Sequence, residues 1–159
     1  MPRDRVTKAL IPAAGRGTRF LPITKVVPKE LLPIVSTPAL EFVVAEASRN
    51  RLTDVILVVN DGKQAIAEYF APHPDLEGVL AAKGDITALA MIKRAANLAT
   101  IHQVEQLEPR GLGDAIAHGE QFAAGEPLVV LLPDDLIDER DDLLEIGRAS
   151  CRERVYHPV

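Results

Sequence analysis

Residues 12–33, PAAGRGTRFLPITKVVPKELLP, follow directly on the apolar run of residues 6–11 and combine two glycines, a Thr-Arg pair and three spaced basic residues. This combination suits the binding of a triphosphate. Gly15 and Gly17 allow the backbone to approach an anion closely, because no Cβ intervenes and positive φ is accessible. Exposed N–H groups of such a loop form an anion-binding concavity. Arg19, Lys25 and Lys29 bring positive charge, and the Arg19 guanidinium can grip phosphate oxygens in bidentate fashion.

The spacing differs from two better-known phosphate loops. A P-loop requires G-x-x-x-x-G-K-[ST], whereas Thr18 and Arg19 follow Gly17 here. The dinucleotide fingerprint G-x-G-x-x-G would need glycine where Phe20 stands. Ordinary strand-to-helix loops run about 2–6 residues, so a loop of this length points to a function of its own.

A second stretch with chemical potential is Leu132-Pro133-Asp134-Asp135, which ends the apolar run of residues 128–132. Ligands of open α/β sheets bind at such carboxyl ends of strands. Carboxylates there suit Mg²⁺, a hard ion that takes one or two protein carboxylates together with phosphate oxygens. Elsewhere the residues are chemically bland. His73, His102, His118 and His157 have no metal-ligand spacing, and no Ser-His-Asp or Cys-His set stands out.

Taken together, residues 8–33, KALIPAAGRGTRFLPITKVVPKELLP, resemble the nucleotide-binding signature of the sugar-phosphate nucleotidylyltransferases. The wording is closest to the bacterial uridylyltransferases of that family, which join UTP and glucose 1-phosphate into UDP-glucose and pyrophosphate. The resemblance runs to about residue 144 and implies a role for each matching residue. The backbone of Ala13, Ala14, Gly15, Gly17 and Thr18 is expected to cradle the phosphates. Arg19 would stabilise the leaving pyrophosphate, Lys29 would steady the phosphates at the reacting centre, and Lys25 is a weaker phosphate contact. Asp134 would hold Mg²⁺. Gln106 and Gly111 stand at the spacing of a base-reading segment, where an amide offers donor and acceptor together to uracil. Glu30 would accept from the uracil N3–H.

Some positions depart from the pattern. Asp135 stands where relatives carry an uncharged residue and reads as a solvated or capping aspartate. Asp114 replaces a histidine after Gly-Leu-Gly, although an aspartate suits a helix N-terminus. Arg51 takes the place of a helix-ending glycine, with Asn50 the expected left-handed residue. Another sugar nucleotidylyltransferase, such as a thymidylyltransferase, shares the opening loop. A non-catalytic nucleotide-binding module is the alternative from outside enzymes.

The elements that must hold these residues alternate between strand and helix patterns. That predicts an α/β fold, Rossmann-like, with a mainly parallel sheet and helices on both faces. Strands are expected over residues 6–11, 54–59, 100–104 and 128–132. Helices are expected from Ser36-Thr37-Pro38, read as an N-cap, to about Asn50, then over 64–70, 86–98 and 114–123. Residues 71–86, punctuated by prolines and glycines, have no clear period.

With 47% apolar and 26% charged residues, the composition is that of a globular protein. The net charge of −5 argues against general nucleic-acid affinity, and no apolar stretch reaches a membrane span. The single cysteine agrees with a cytoplasmic setting. From residue 146 the chain turns arginine-rich and loses any period. That string resembles the translation of a sequencing adapter, so residues 1–145 are expected to form the nucleotide-binding half of a longer domain and 146–159 a non-native tail. On this reading the chain lacks transferase activity by itself, and full-length relatives form homo-oligomers.

Overall fold

The computed structural model describes residues 6–108 and 110–136, together with the backbone of residues 155–156. The chain begins with strand β1 (Lys8–Pro12), then runs through three 3-10 turns to a small hairpin, β2 (Pro33–Ile34) and β3 (Thr37–Pro38). There follow α1 (Ala39–Arg49), β4 (Asp54–Val59), α2 (Gln64–Phe70), α3 (Pro74–Lys83), α4 (Ile86–Ala96) and β5 (Thr100–Glu105). The remaining elements are α5 (Leu112–Ala117), α6 (Glu120–Ala123), β6 (Leu128–Val130) and β7 (Val155–Tyr156).

The main sheet has the order β5-β4-β1-β6-β7, parallel except for the last pair. The central strands read as continuous apolar runs because both their faces are covered. Ala9, Ile11, Val55, Leu57 and Val59 pack on one face with Leu40, Val43, Val44 and Ala47 of α1, Ile66 and Phe70 of α2, and Ala95 of α4. Leu10, Ile56, Val58 and Leu128 pack on the other face with Ala115 and Ala123 of α5 and α6. Burial of a large aliphatic side chain such as Leu40 stabilises the fold by about 1.5–3 kcal/mol. The expected Rossmann-like architecture with helices on both faces is therefore present.

Two contacts fix the helices tightly. Glu41, buried in α1, accepts a hydrogen bond from the Tyr69 hydroxyl of α2 and pairs with Arg94 Nε of α4 at 3.2 Å. On the opposite face, Gly119 lies against Leu10: a Cβ there would sit 2.1 Å from Leu10 Cδ1. Gly119 lies in the break that divides the expected helix of residues 114–123 into α5 and α6.

Several local expectations need correction. Ser36-Thr37-Pro38 does not supply a side-chain cap; residues 33–38 form the hairpin, and Pro38 itself precedes α1. The left-handed residue after α1 is Arg51, with φ 61°, while Asn50 has φ −88°. The punctuated stretch 71–86 contains α3, started by Pro74 and ended by Gly84 at φ 70°. The outer edge of β6 carries β7 antiparallel, pairing Leu128 with Tyr156 and Val129 with Val155. The expected boundary near residue 145 and the rest of the tail lie outside the described residues.

Candidate functional site

The connection from β5 to β6 passes over β4 and β1, so the strand order reverses between β1 and β6. A crevice at the carboxyl ends of strands follows from such a switch point. A cavity of about 580 Å³ opens there, lined by the loop after β1, the turn of residues 29–34 and the segment after β6.

The loop leaves β1 through Ala13, whose N–H donates to Val58 O at 2.7 Å, and Ala13 and Ala14 are buried beneath the cavity. Gly17 adopts φ 63°, and a Cβ there would meet Lys29 Cβ at 3.0 Å and Thr24 Cγ2 at 3.2 Å. Thr24 Oγ1 donates to Gly17 O at 2.8 Å, which fixes this bend. Gly15 does not need positive φ. Its missing Cβ instead leaves room beside Lys29, whose Cε would lie 3.6 Å away. The two glycines therefore serve different ends.

Gly15, Gly17, Thr18, Arg19, Lys29, Glu30 and Asp134 are brought together as cavity lining. Arg19 and Asp134 are exposed to it, and Arg16 adds a third cation to Arg19 and Lys29. Lys25 lies on the next 3-10 turn, exposed and outside this lining. Gln106 and Gly111 are also away from it, after β5 and before α5. With strands about 4.8 Å apart, β5 lies about 10 Å from β1 across the sheet's carboxyl edge. Gln106 is buried there; its N–H donates to Val59 O at 2.7 Å and its Nε2 donates to Asp114 Oδ2 at 2.5 Å. Gly111 has φ 109°, a conformation open to glycine, at the entrance of α5.

Sequence reasoning missed Lys63. This lysine follows Gly62 in the turn after β4 and is buried against the loop after β1. Its ammonium donates to the carbonyl oxygens of Ala13 and Gly15, and to both carboxylate oxygens of Glu30 at 2.9 and 3.0 Å. Burial pushes its pKa down; Glu30 opposes that shift through charge and hydrogen bonding, and the nearby Lys29 charge adds to it. Glu30, only 2% exposed, accepts from Lys63 through both carboxylate oxygens at the lining of the cavity. A Gly-Lys pair closing a buried strand is a weak signal for such a tether, but it was present in the sequence.

Among the described residues, no cluster of three or more His, Cys, Asp and Glu side chains could hold a metal. Asp134 places one exposed carboxylate on the cavity wall. That fits Mg²⁺, which binds proteins through one or two carboxylates while phosphates and water complete its shell.

A doubly wound sheet with a cation-lined cavity at its switch point defines an α/β protein of Rossmann-like type, in which ligands bind at that crevice. The chain belongs to the nucleotidyl transferase family, which it matches over residues 8–148. It is 47% identical over 133 residues to UTP–glucose-1-phosphate uridylyltransferase of Bacillus subtilis (strain 168), covering 84% of this chain and 46% of that protein. The UTP-bound UGPase from Acinetobacter baumannii superposes with a TM-score of 0.82 at 34% identity, covering 91% of this chain and 53% of that one. A UDP-glucose pyrophosphorylase complexed with UDP-glucose gives a TM-score of 0.72 at 33% identity, over 90% of this chain and 53% of that one. The chain thus spans about half the length of the curated relatives it matches. Enzymes of this family generally use a divalent metal. Among the described residues, no helix is long and apolar enough to cross a membrane.

Proposed function

We propose that this chain is the nucleotide-binding part of a UTP–glucose-1-phosphate uridylyltransferase, and that the β1–β6 cavity receives the triphosphate. The observation that carries this reading is the convergence of Arg19, Lys29 and Asp134 on one cavity beside the Gly15–Thr18 backbone. The similarity to a uridylyltransferase of Bacillus subtilis supports the choice of UTP and glucose 1-phosphate.

In the proposed reaction an oxygen of the sugar phosphate attacks the α-phosphorus of UTP in line. A new P–O bond forms, the bond to the β-phosphate oxygen breaks, and pyrophosphate leaves with that electron pair. Such transfer depends on positioning and charge neutralisation, so no protein nucleophile is required. The Ala13 N–H is already taken up by Val58 O, so the backbone N–H groups from Ala14 to Thr18 hold the phosphates; Arg19 meets the charge growing on pyrophosphate, and Lys29 steadies the oxygens at the reacting phosphorus. Lys25 is an outer phosphate contact. Asp134 would hold Mg²⁺, which neutralises phosphate charge when bound. Glu30 acts on the phosphate side by holding Lys63, and the base lies over β5, read by Gln106 and Gly111. Completion of the sugar site and of any homo-oligomer belongs to the longer protein, which we take to act in the cytoplasm.

Calorimetric titration of the chain with UTP and dTTP, with and without Mg²⁺, tests the proposal. Mg²⁺-dependent binding that prefers UTP and weakens at least about tenfold in Arg19→Ala is expected, since a charge-assisted hydrogen bond is lost. Binding indifferent to both Mg²⁺ and Arg19 would favour a non-catalytic module.

A further inference from the structure

Gln106 is held at two points. Its backbone N–H reaches Val59 O on β4, and its side-chain nitrogen reaches Asp114 in the first turn of α5. A carboxylate offers no donor, so this contact decides which end of the amide is nitrogen and which is oxygen. Asp114 is itself tethered: His118 Nδ1 donates to the Asp114 carbonyl oxygen at 2.8 Å and lies 3.6 Å from Oδ2. The amide of Gln106 is therefore locked, with Nε2 toward Asp114 and Oε1 turned away from it.

We infer that Asp114 is a positioning residue that makes the site selective for uracil over cytosine. This rests on the assignment of Gln106 to the base. A locked amide presents Oε1 to the uracil N3–H and keeps its second N–H for an adjoining ring carbonyl. Cytosine reverses both demands, with an acceptor at N3 and a donor at its 4-amino group. Meeting it would require the amide to flip. The flip sets Oε1 against Oδ2 of Asp114, two acceptors with no proton between them. Discrimination then comes from a built-in repulsion as well as from attraction.

The test is calorimetry of the 159-residue chain with UTP and CTP in excess Mg²⁺, using wild type, Asp114→Asn and Gln106→Ala. An asparagine at 114 can donate as well as accept, so the flipped amide is no longer opposed. The UTP-over-CTP ratio is expected to fall about tenfold in Asp114→Asn, with UTP affinity and melting temperature changed little. Without ligand, the Gln106 side-chain NH₂ resonances should shift in Asp114→Asn. Selectivity kept in Asp114→Asn but lost in Gln106→Ala would overturn the positioning role and leave the base assignment intact. Selectivity kept in both variants, or a wild type that binds neither nucleotide, would overturn the base assignment and this inference with it. An unmoved Gln106 resonance would remove the lock itself.

Discussion

The ammonium of Lys63 lies 2.9 Å from Oε2 of Glu30, and both side chains are buried. The same ammonium takes up the carbonyl oxygens of Ala13 and Gly15. One buried cation thus joins the turn after β4 to the loop after β1 and to the 3-10 turn Lys29–Leu31. With those carbonyls engaged below, the loop is held in one shape under the cavity.

Removing one partner of a buried pair strands the other, at a cost of about 3–5 kcal/mol. Lys63→Met should lose stability on that scale in urea unfolding. Adding Glu30→Gln should restore part of it, because no unpaired charge is left. UTP affinity should stay low in the double variant, since nothing then holds the two carbonyls. Wild-type affinity in that variant would show that the tether is dispensable.

Gly15 and Gly17 should separate in their response to alanine. At Gly17 the left-handed backbone alone costs about 1–2 kcal/mol, and the new Cβ also presses on Lys29 and Thr24. Gly17→Ala should lower both the melting temperature and UTP affinity. Gly15→Ala meets only ordinary contacts within the protein, so its melting temperature should hold while binding falls. Equal melting shifts in the two variants would contradict the geometry.

Gly119→Ala drives a methyl group into Leu10, which is wholly buried and has little room to turn aside. Overpacking of this kind costs about 1–3 kcal/mol. Denaturant midpoints should record that loss, and shortening the neighbour with Leu10→Val should recover some of it.

Tyr69 supplies a pH test. Burial raises the pKa of its hydroxyl well above the ordinary value near 10, and the hydrogen bond and charge of Glu41 add to the shift against the opposing charge of Arg94. A folded-state pKa above the unfolded one means that this contribution is complete below about pH 10 and is lost as pH climbs through the folded value. Ultraviolet titration should find one tyrosine ionising late. In Glu41→Gln that delay should shrink.

The sequence was most readable where burial on both faces left no choice. Asp54-Val-Ile-Leu-Val-Val forms β4 over the expected residues, and Gln64–Phe70 forms α2 likewise. The prolines and glycines of residues 71–86 looked like loop punctuation because each can mark either a turn or a helix end; Pro74 and Gly84 turn out to bound α3. Gly119 has no room for a side chain for a reason that lies in Leu10, more than a hundred residues away in sequence. The loop after β1 stood out because glycine and arginine carry local meanings. Lys63 did not, since a lysine reads as surface until the carbonyls of Ala13 and Gly15 come to meet it.

The connections on the two faces of the sheet are anchored in different apolar clusters. Lys63 sits between β4 and α2, and α2 packs into the larger cluster through Ile66 and Phe70. Asp114 rides on α5, which is seated in the smaller cluster through Ala115. On the proposed assignments, the grip on the phosphates and the reading of the base stand on separate foundations. If those assignments hold, changes in the smaller core would act first on the choice of nucleotide and changes in the larger one on the hold on the triphosphate, giving fidelity and affinity independent routes of change.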